Sequence, residues 1–506
     1  MKFTISSWAA VGASLLVAAC GGGGSSSGSA GTQNSAPARG ELMQSPPPRI
    51  TSLTAADYNA SLSASAAGQG LLALSTGSAT GSLPCGIDVQ YIKYGTVGGQ
   101  GEATTASAAL IVPTGTDPAC TGPRPIVLHA HGTAVEKRYN LADFADRTNP
   151  AFSEASVLGA IYAAQGYIVV APNYAGYDSS TLGYHPYLVL AQQTKDMTDA
   201  LVAAKAALPT LLAGTTTNGK VFLSGYSQGG SVALATHKAM ITDPTTVAKL
   251  ASLSLTVKAS AQGSGPYALQ SLVDQIMQGA VSASSTYFAP LLLTGYQKSY
   301  GVSAATNLYT STSDVYESTY ATGIEANFPG AYSYTTLVTS GKVPQAALFD
   351  TASLPAAPAG ALNALWTAGF GTPNLIKSSF RTDYLTNPAN QARANALVND
   401  LRSMTSPVGA TLLCGGSNDP TVYYASNTGA MLALPIWAGA VTSGAVREVN
   451  MDLGAGTANP LDPFGALKTS FTASNPTSGA NYASTYHANL LPDCVRAARG
   501  FFALVP

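Results

Sequence analysis

The chain has 506 residues, with 24 Lys and Arg against 25 Asp and Glu, for a net charge of −1. Charged residues make up only 10% of it, far below the roughly 25% of an ordinary globular protein. No basic patch exists to track a phosphate backbone, which excludes nucleic acid as an expected partner, and beyond the N-terminus no apolar run reaches the ~20 residues of a membrane span.

The N-terminus reads "MKFTISSWAAVGASLLVAAC". Lys2, an apolar run through Val17 and small residues before Cys20 are the pattern of an export signal, residues 1–19, ending in a lipoprotein cleavage box. Lipid is expected on the Cys20 thiol. Residues 20–50 are mostly Gly, Ser, Ala and Pro, the composition of a flexible tether. Gly21 rather than aspartate follows the cysteine, and the resemblance to Gram-negative lipoproteins implies the outer membrane or, failing the anchor, secretion. The membrane is thus expected as a partner only through this lipid, and the chain is expected to act as a monomer.

The globular core is expected over 51–265 and 408–506. Segments 88–97 and 103–113 alternate as an antiparallel pair at a sheet edge. Strand then alternates with helix: strands at 125–132, 167–174, 220–225 and 255–262, helices at 153–165 and 187–208, and another helix after Ser227. This order predicts an α/β fold, a mostly parallel sheet with helices on both faces. From 266 to 407 the alternation stops, with short helical patterns such as 268–281, and the segment reads as an inserted, mainly helical cap or lid. The sheet resumes at 409–416 and 446–453, and a helix over 491–505 closes the chain.

The chemistry centres on Gly225-Tyr226-Ser227-Gln228-Gly229. The pattern G-x-S-x-G is weak alone, since Gly24-Ser25-Ser26-Ser27-Gly28 fits it inside a low-complexity run. Here an apolar strand precedes it and a helical pattern follows. A sharp strand-to-helix turn strains the middle residue and leaves no room for side chains two positions either side, so both must be very small. Ser227 is then lifted to the C-terminal edge of the sheet as a nucleophile. A serine hydroxyl needs a base, and the chain has five histidines. His129 and His131 end an early strand, His185 starts a helix, and His237 lies ten residues along the elbow helix. Only His487 falls after the last strand, in the loop expected before the closing helix, which fits the order Ser, acid, His.

The acid should follow a late strand. Asp419 in "GGSNDPTV" is the first choice; Asp452, ending the next strand, is the best rival, and Asp462 a weaker one. The oxyanion hole is expected from the backbone N–H groups of Gln228 and of Thr133, whose neighbour Gly132 lets the loop approach closely. Four cysteines besides Cys20, with no C-x-x-C spacing, favour two disulfides over a metal site. No metal and no cofactor are expected.

With these residues in place the chain resembles an α/β-hydrolase, and within that fold the secretory lipase family that holds lipase A-type enzymes of yeasts and many bacterial esterases. The motifs that carry this are "HAHGT", "APNYAGYDSSTLGYHPYL", "GYSQGG", "KASAQGSGP", "GGSNDPTV" and "YHANLLP". The resemblance runs from about residue 85 to the C-terminus and implies hydrolysis of carboxylic esters beneath an inserted lid. Such relatives usually have aspartate where this chain has Asn173, a position read as loop support.

The expectation is therefore a serine esterase or lipase acting on lipid-like, aryl or polymeric esters through Ser227, Asp419 and His487 and an acyl-enzyme. A serine peptidase of the same fold is the alternative among enzymes, and a non-catalytic surface binding protein the alternative from another class. Of the three pairings four cysteines allow, the fold reading selects one, with two bridges. Cys85 with Cys120 would flank the first strand pair, and Cys414 with Cys494 would tie the acid loop to the base.

Overall fold

The computed structural model of the chain describes residues 36–506, apart from residues 79, 212–214, 356–362, 405, 406, 408, 455–461, 476 and 480. The export signal, Cys20 and the first part of the tether lie outside the described residues. The tether expected to reach residue 50 stops short of it. From residue 36 the chain lies along the sheet, with the Gly40 N–H donating to the Gly95 carbonyl at 2.8 Å and the Met43 N–H to that of Lys93 at 2.9 Å. Arg39 pairs with Asp199 at 3.0 Å. A strand edge offers unpaired backbone groups that any extended segment can satisfy, whatever its side chains.

The sheet contains β1 (Arg49–Leu53), β2 (Gly86–Val97), β3 (Ala103–Thr114), β4 (Gly122–Ala130), β5 (Ile168–Pro172), β6 (Thr215–Tyr226), β7 (Thr256–Gly263), β8 (Ala410–Gly415) and β9 (Val446–Asn450). Their spatial order is β1-β2-β3-β5-β4-β6-β7-β8-β9. The strands from β1 to β5 in that order pair antiparallel, and from β5 onward every pairing is parallel. Ile126, Val127 and Leu128 of β4 and Ile168, Val169 and Val170 of β5 are all fully buried. Such continuous apolar runs, rather than alternation, are what a strand covered on both faces requires.

Helices α1 (Ala55–Ser63), α2 (Ala66–Thr76), α3 (Phe152–Ile161), α4 (Leu190–Ala207), α5 (Gln228–Thr242) and α6 (Pro244–Ser252) belong to this layer, as does α11 (Tyr482–Phe502) at the end of the chain. Between β7 and β8 lie α7 (Leu269–Gln278), α8 (Ser285–Tyr300), α9 (Ser378–Thr386), α10 (Gln391–Val398) and several shorter turns. Two disulfides are present, Cys85–Cys120 and Cys414–Cys494. They fit an oxidising compartment, and no described helix is long and apolar enough to cross a membrane.

The closing helix differs from the expected 491–505. It starts nine residues earlier, so that His487 sits within it rather than in a preceding loop, and it runs through Pro492. An interior proline removes a hydrogen bond and costs about 3 kcal/mol. Here Tyr486, Leu490, Cys494, Val495, Ala498 and Phe501 are all buried, and their burial offsets that cost.

His237 of α5 faces the Ser260 hydroxyl at 2.6 Å, and burial lowers its pKa to about 4. Its folded value lies below the unfolded one, so the unfolded chain takes the proton first as pH falls. The stability it contributes is present above about pH 6.5 and lost towards pH 4. Relative to His237→Gln, the wild-type unfolding free energy should fall by about 1.4 kcal/mol per pH unit between pH 6 and 4.5. Urea titrations at several pH values check this; parallel profiles for the two proteins would contradict it.

Candidate active site

Ser227 stands between β6 and α5 with φ 55° and ψ −123°, a conformation that costs a non-glycine residue about 1–3 kcal/mol. The surrounding backbone holds it there. A Cβ on Gly225 would lie 2.1 Å from the Gly229 carbonyl oxygen, and one on Gly229 would lie 1.9 Å from that of Ala130. Neither position admits a side chain. The Ser227 N–H is tied to the Gly263 carbonyl of β7 at 2.9 Å.

Ser227, His487 and Asp419 come together although 260 and 68 residues separate the two hydrogen-bonded pairs. His487 Nε2 is 2.9 Å from the Ser227 hydroxyl oxygen, and His487 Nδ1 is 2.7 Å from Asp419 Oδ2. Asp419 is 1% exposed, and its other oxygen accepts from the N–H groups of Thr421 at 2.9 Å and Val422 at 3.1 Å. A carboxylate only accepts, so His487 Nδ1 carries the proton and Nε2 presents its lone pair to the serine. The Tyr226 hydroxyl donates to the His487 carbonyl, holding the base from its backbone side.

The rival acids lie elsewhere. Asp452 accepts from the Asn418 N–H at 2.9 Å and the Tyr486 hydroxyl at 2.6 Å, while Asp462 pairs with Lys468 at 2.8 Å. The other four histidines are buried. His129 contacts Glu154 at 3.0 Å and the Ser224 hydroxyl at 3.2 Å. His131 is stacked between Tyr139 and Tyr174, and burial lowers its pKa.

His185 has a closer connection, which its sequence position does not reveal. Its Nδ1 lies 2.9 Å from the Ala175 carbonyl and must donate there, so Nε2 accepts from the Gln228 side-chain amide at 2.7 Å. Burial lowers the His185 pKa to about 3, which keeps this acceptor neutral. The residue after Ser227 is thereby held by a contact spanning 43 residues, and no local pattern announces it.

Of the two expected oxyanion donors, Gln228 follows the serine directly and Thr133 lies on the loop after β4. Gln228 opens α5, where first-turn N–H groups have no intrahelical acceptor. The β4 and β6 register sets Ala130 beside Gly225, so the loop after β4 passes the elbow; a Cβ on Gly132 would lie 3.7 Å from Ser227 Cβ. Thr133 follows, and its hydroxyl pairs with that of Tyr187 at 2.8 Å. Tyrosine hydroxyls fix both ends of this loop: Tyr174 donates to the His131 carbonyl at 3.2 Å and Tyr177 to that of Ala134 at 2.6 Å. Asn173 supports it from below, accepting from the Leu141 N–H at 2.8 Å and donating to the Ser107 hydroxyl at 3.0 Å and to Asn140 Oδ1 at 3.1 Å. An aspartate could not make those two donations.

Ser227 and Gln228 also line a cavity of about 90 Å³, otherwise almost wholly apolar. Leu272 and Ile276 of α7, Phe288 and Leu292 of α8 and Val422 of the acid loop face it.

No protein-family model and no curated protein sequence matches the chain. Among solved structures, the rice cell wall degrading esterase LipA of Xanthomonas oryzae aligns with a TM-score of 0.62 and 28% identity, covering 87% of this chain and 96% of its own. A Legionella pneumophila protein provisionally described as a hydrolase aligns with a TM-score of 0.63 and 16% identity, covering 92% of this chain and 97% of its own. The chain has the α/β-hydrolase fold. In that fold the elbow follows a central parallel strand, and here it follows β6, between β4 and β7. The esterase neighbours support hydrolysis of ester substrates by this α/β-hydrolase.

If the contact at Gly229 forces the elbow, Gly229→Ala should lower the melting temperature by about 2 °C or more, about 2 kcal/mol or above for a domain this large, or leave no soluble protein. Thermal unfolding followed by circular dichroism measures it; an unchanged midpoint would contradict the close approach.

Proposed function

We propose that this chain is a serine carboxylic ester hydrolase, of the kind found among secretory lipases and esterases, whose substrates carry an apolar acyl group. The observation behind this reading is the unbroken hydrogen-bonded chain from Asp419 through His487 to Ser227, beside an apolar cavity that Ser227 itself lines. Ser227 Oγ attacks the ester carbonyl as its proton passes to His487 Nε2. Asp419 holds the resulting imidazolium in orientation and stabilises its charge. The backbone N–H groups of Gln228 and Thr133 take the oxyanion. His487 then protonates the departing alcohol, and the same base activates water to release the acid from Ser227.

The cavity walls give the acyl group an apolar environment, and most of them come from the segment between β7 and β8. This is the basis for reading 266–407 as the cap. The Xanthomonas neighbour degrades rice cell wall, which keeps polymeric esters beside lipid-like and aryl ones as substrates here. The N-terminal pattern adds export and a lipid anchor at Cys20 to the proposal.

Ser227→Ala and His487→Ala should each lower kcat by about 10⁴-fold or more on a p-nitrophenyl ester, with circular dichroism unchanged. Asp419→Asn should cost far more than Asp452→Asn. A Ser227→Ala variant that hydrolyses ester at the wild-type rate would contradict the proposal, and a reversed order for the two aspartates would reassign the acid.

Leu272→Trp should fill part of the cavity. Its kcat/KM for octanoate esters should fall at least tenfold more than for acetate esters, since each lost methylene contact is worth about 0.8 kcal/mol. Parallel losses across acyl length would place the acyl group elsewhere.

A further inference from the structure

Asp452, two residues past β9, sits where the acid loop meets α11. One of its oxygens, Oδ2, accepts two hydrogen bonds: from the Asn418 N–H at 2.9 Å and from the Tyr486 hydroxyl at 2.6 Å. Asn418 immediately precedes Asp419, and Tyr486 immediately precedes His487. A single oxygen therefore joins the peptide before the acid to the side chain before the base.

The neighbouring contacts make this junction tight. Tyr482, one turn earlier on α11, donates its hydroxyl to the Asn418 carbonyl, so both backbone groups of Asn418 are held. Asn450 clamps the residue before, accepting from the Ser417 N–H at 3.2 Å and donating to the Ser417 hydroxyl at 2.6 Å. It also accepts from the Asp452 N–H at 3.1 Å, which orients the aspartate. A Cβ on Gly416 would lie 2.3 Å from the Tyr486 hydroxyl oxygen and 3.0 Å from Asp452 Oδ2. The acid loop thus runs in van der Waals contact with the pair that anchors it.

We infer that Asp452 is a positioning residue for the proposed reaction: as a double acceptor it keeps Asp419 and His487 in register, without itself touching substrate. The inference rests on the esterase reading above. Its physical content is that the Asp419 to His487 hydrogen bond joins a loop to a helix, and a displacement of about 1 Å between reacting groups can cost 10²-fold in rate. What matters is the accepting oxygen rather than the charge. The carbonyl oxygen of asparagine can accept the same two donors; alanine can accept neither.

The test compares Asp452→Ala, Asp452→Asn and Tyr486→Phe with wild type and Ser227→Ala on one p-nitrophenyl ester. Asp452→Ala should lower kcat about 10- to 100-fold with KM within threefold of wild type. Asp452→Asn should restore kcat to within about threefold, and Tyr486→Phe, which removes only one donor, should fall between. Should Asp452→Ala fail to fold by circular dichroism, the Asn and Phe variants carry the test. Unchanged kcat in Asp452→Ala, a change confined to KM, or an Asn variant as slow as the Ala one would overturn the positioning role while leaving Ser227 in place. In the Asn and Phe variants alone, Asn slower than Phe, or Phe equal to wild type, would overturn it. Full activity in Ser227→Ala would instead overturn the esterase reading, and this inference with it.

Discussion

Everything at the site depends on how closely the backbone passes behind Ser227. The carbonyl of Ala130 occupies the space a side chain on Gly229 would need, and the carbonyl of Gly229 occupies that of Gly225. This crowding fixes β4, β6 and α5 as one unit with Ser227 at its apex in a strained conformation. It also decides which loops can reach the serine. The loop after β4 arrives because Ala130 pairs with Gly225. The acid loop arrives from β8, one strand beyond β7. The base arrives on α11, which packs across β6, β7 and β8 and is bound to the last by Cys414–Cys494.

Around that unit the polar groups are arranged to leave one imidazole in play. His131, His185 and His237 are all shifted down by burial, and each faces a fixed partner. Glu154 is pushed up by burial, yet its hydrogen bond and charge interaction with His129, with smaller contributions from His131 and Tyr139, outweigh this and hold it below the ordinary carboxylate range. It stays ionised and accepts from the Gly132 N–H at 3.4 Å, bracing the loop that carries Thr133. The His487 side chain is 15% exposed, against 0% for that of His129. Of the five histidines, His487 is the one hydrogen-bonded to the Ser227 hydroxyl. An apolar cavity of about 90 Å³ lies beside Ser227.

The sheet, the elbow and the residues brought to it were legible because each rests on a local signal: apolar runs for β4 to β8, glycines on either side of Ser227, turn residues around Asp419. His487 was legible by chain order alone, and the same reasoning misplaced it in a loop. The helix runs on through Pro492, and the burial that carries α11 through it comes from strands far away in sequence. The segment from residue 36 was misread as tether because its ordering comes from backbone pairing with β2, to which composition is blind. Helices α1 and α2 bury few side chains, among them Tyr58, Leu62 and Leu72, too few to stand out as periodicity. The contacts that steady the site, Gln228 with His185, Thr133 with Tyr187 and Tyr486 with Asp452, join residues 34 or more positions apart. They became visible only with the fold.

The central claim is that Ser227 is an activated nucleophile, and the most direct measurement is the mass of the intact protein after exposure to a fluorophosphonate, followed by peptide mapping. Activation by His487 predicts one stoichiometric adduct on Ser227, slowed by orders of magnitude when His487 is alanine. A protein that stays unmodified, or that carries the adduct on another residue, would contradict the account.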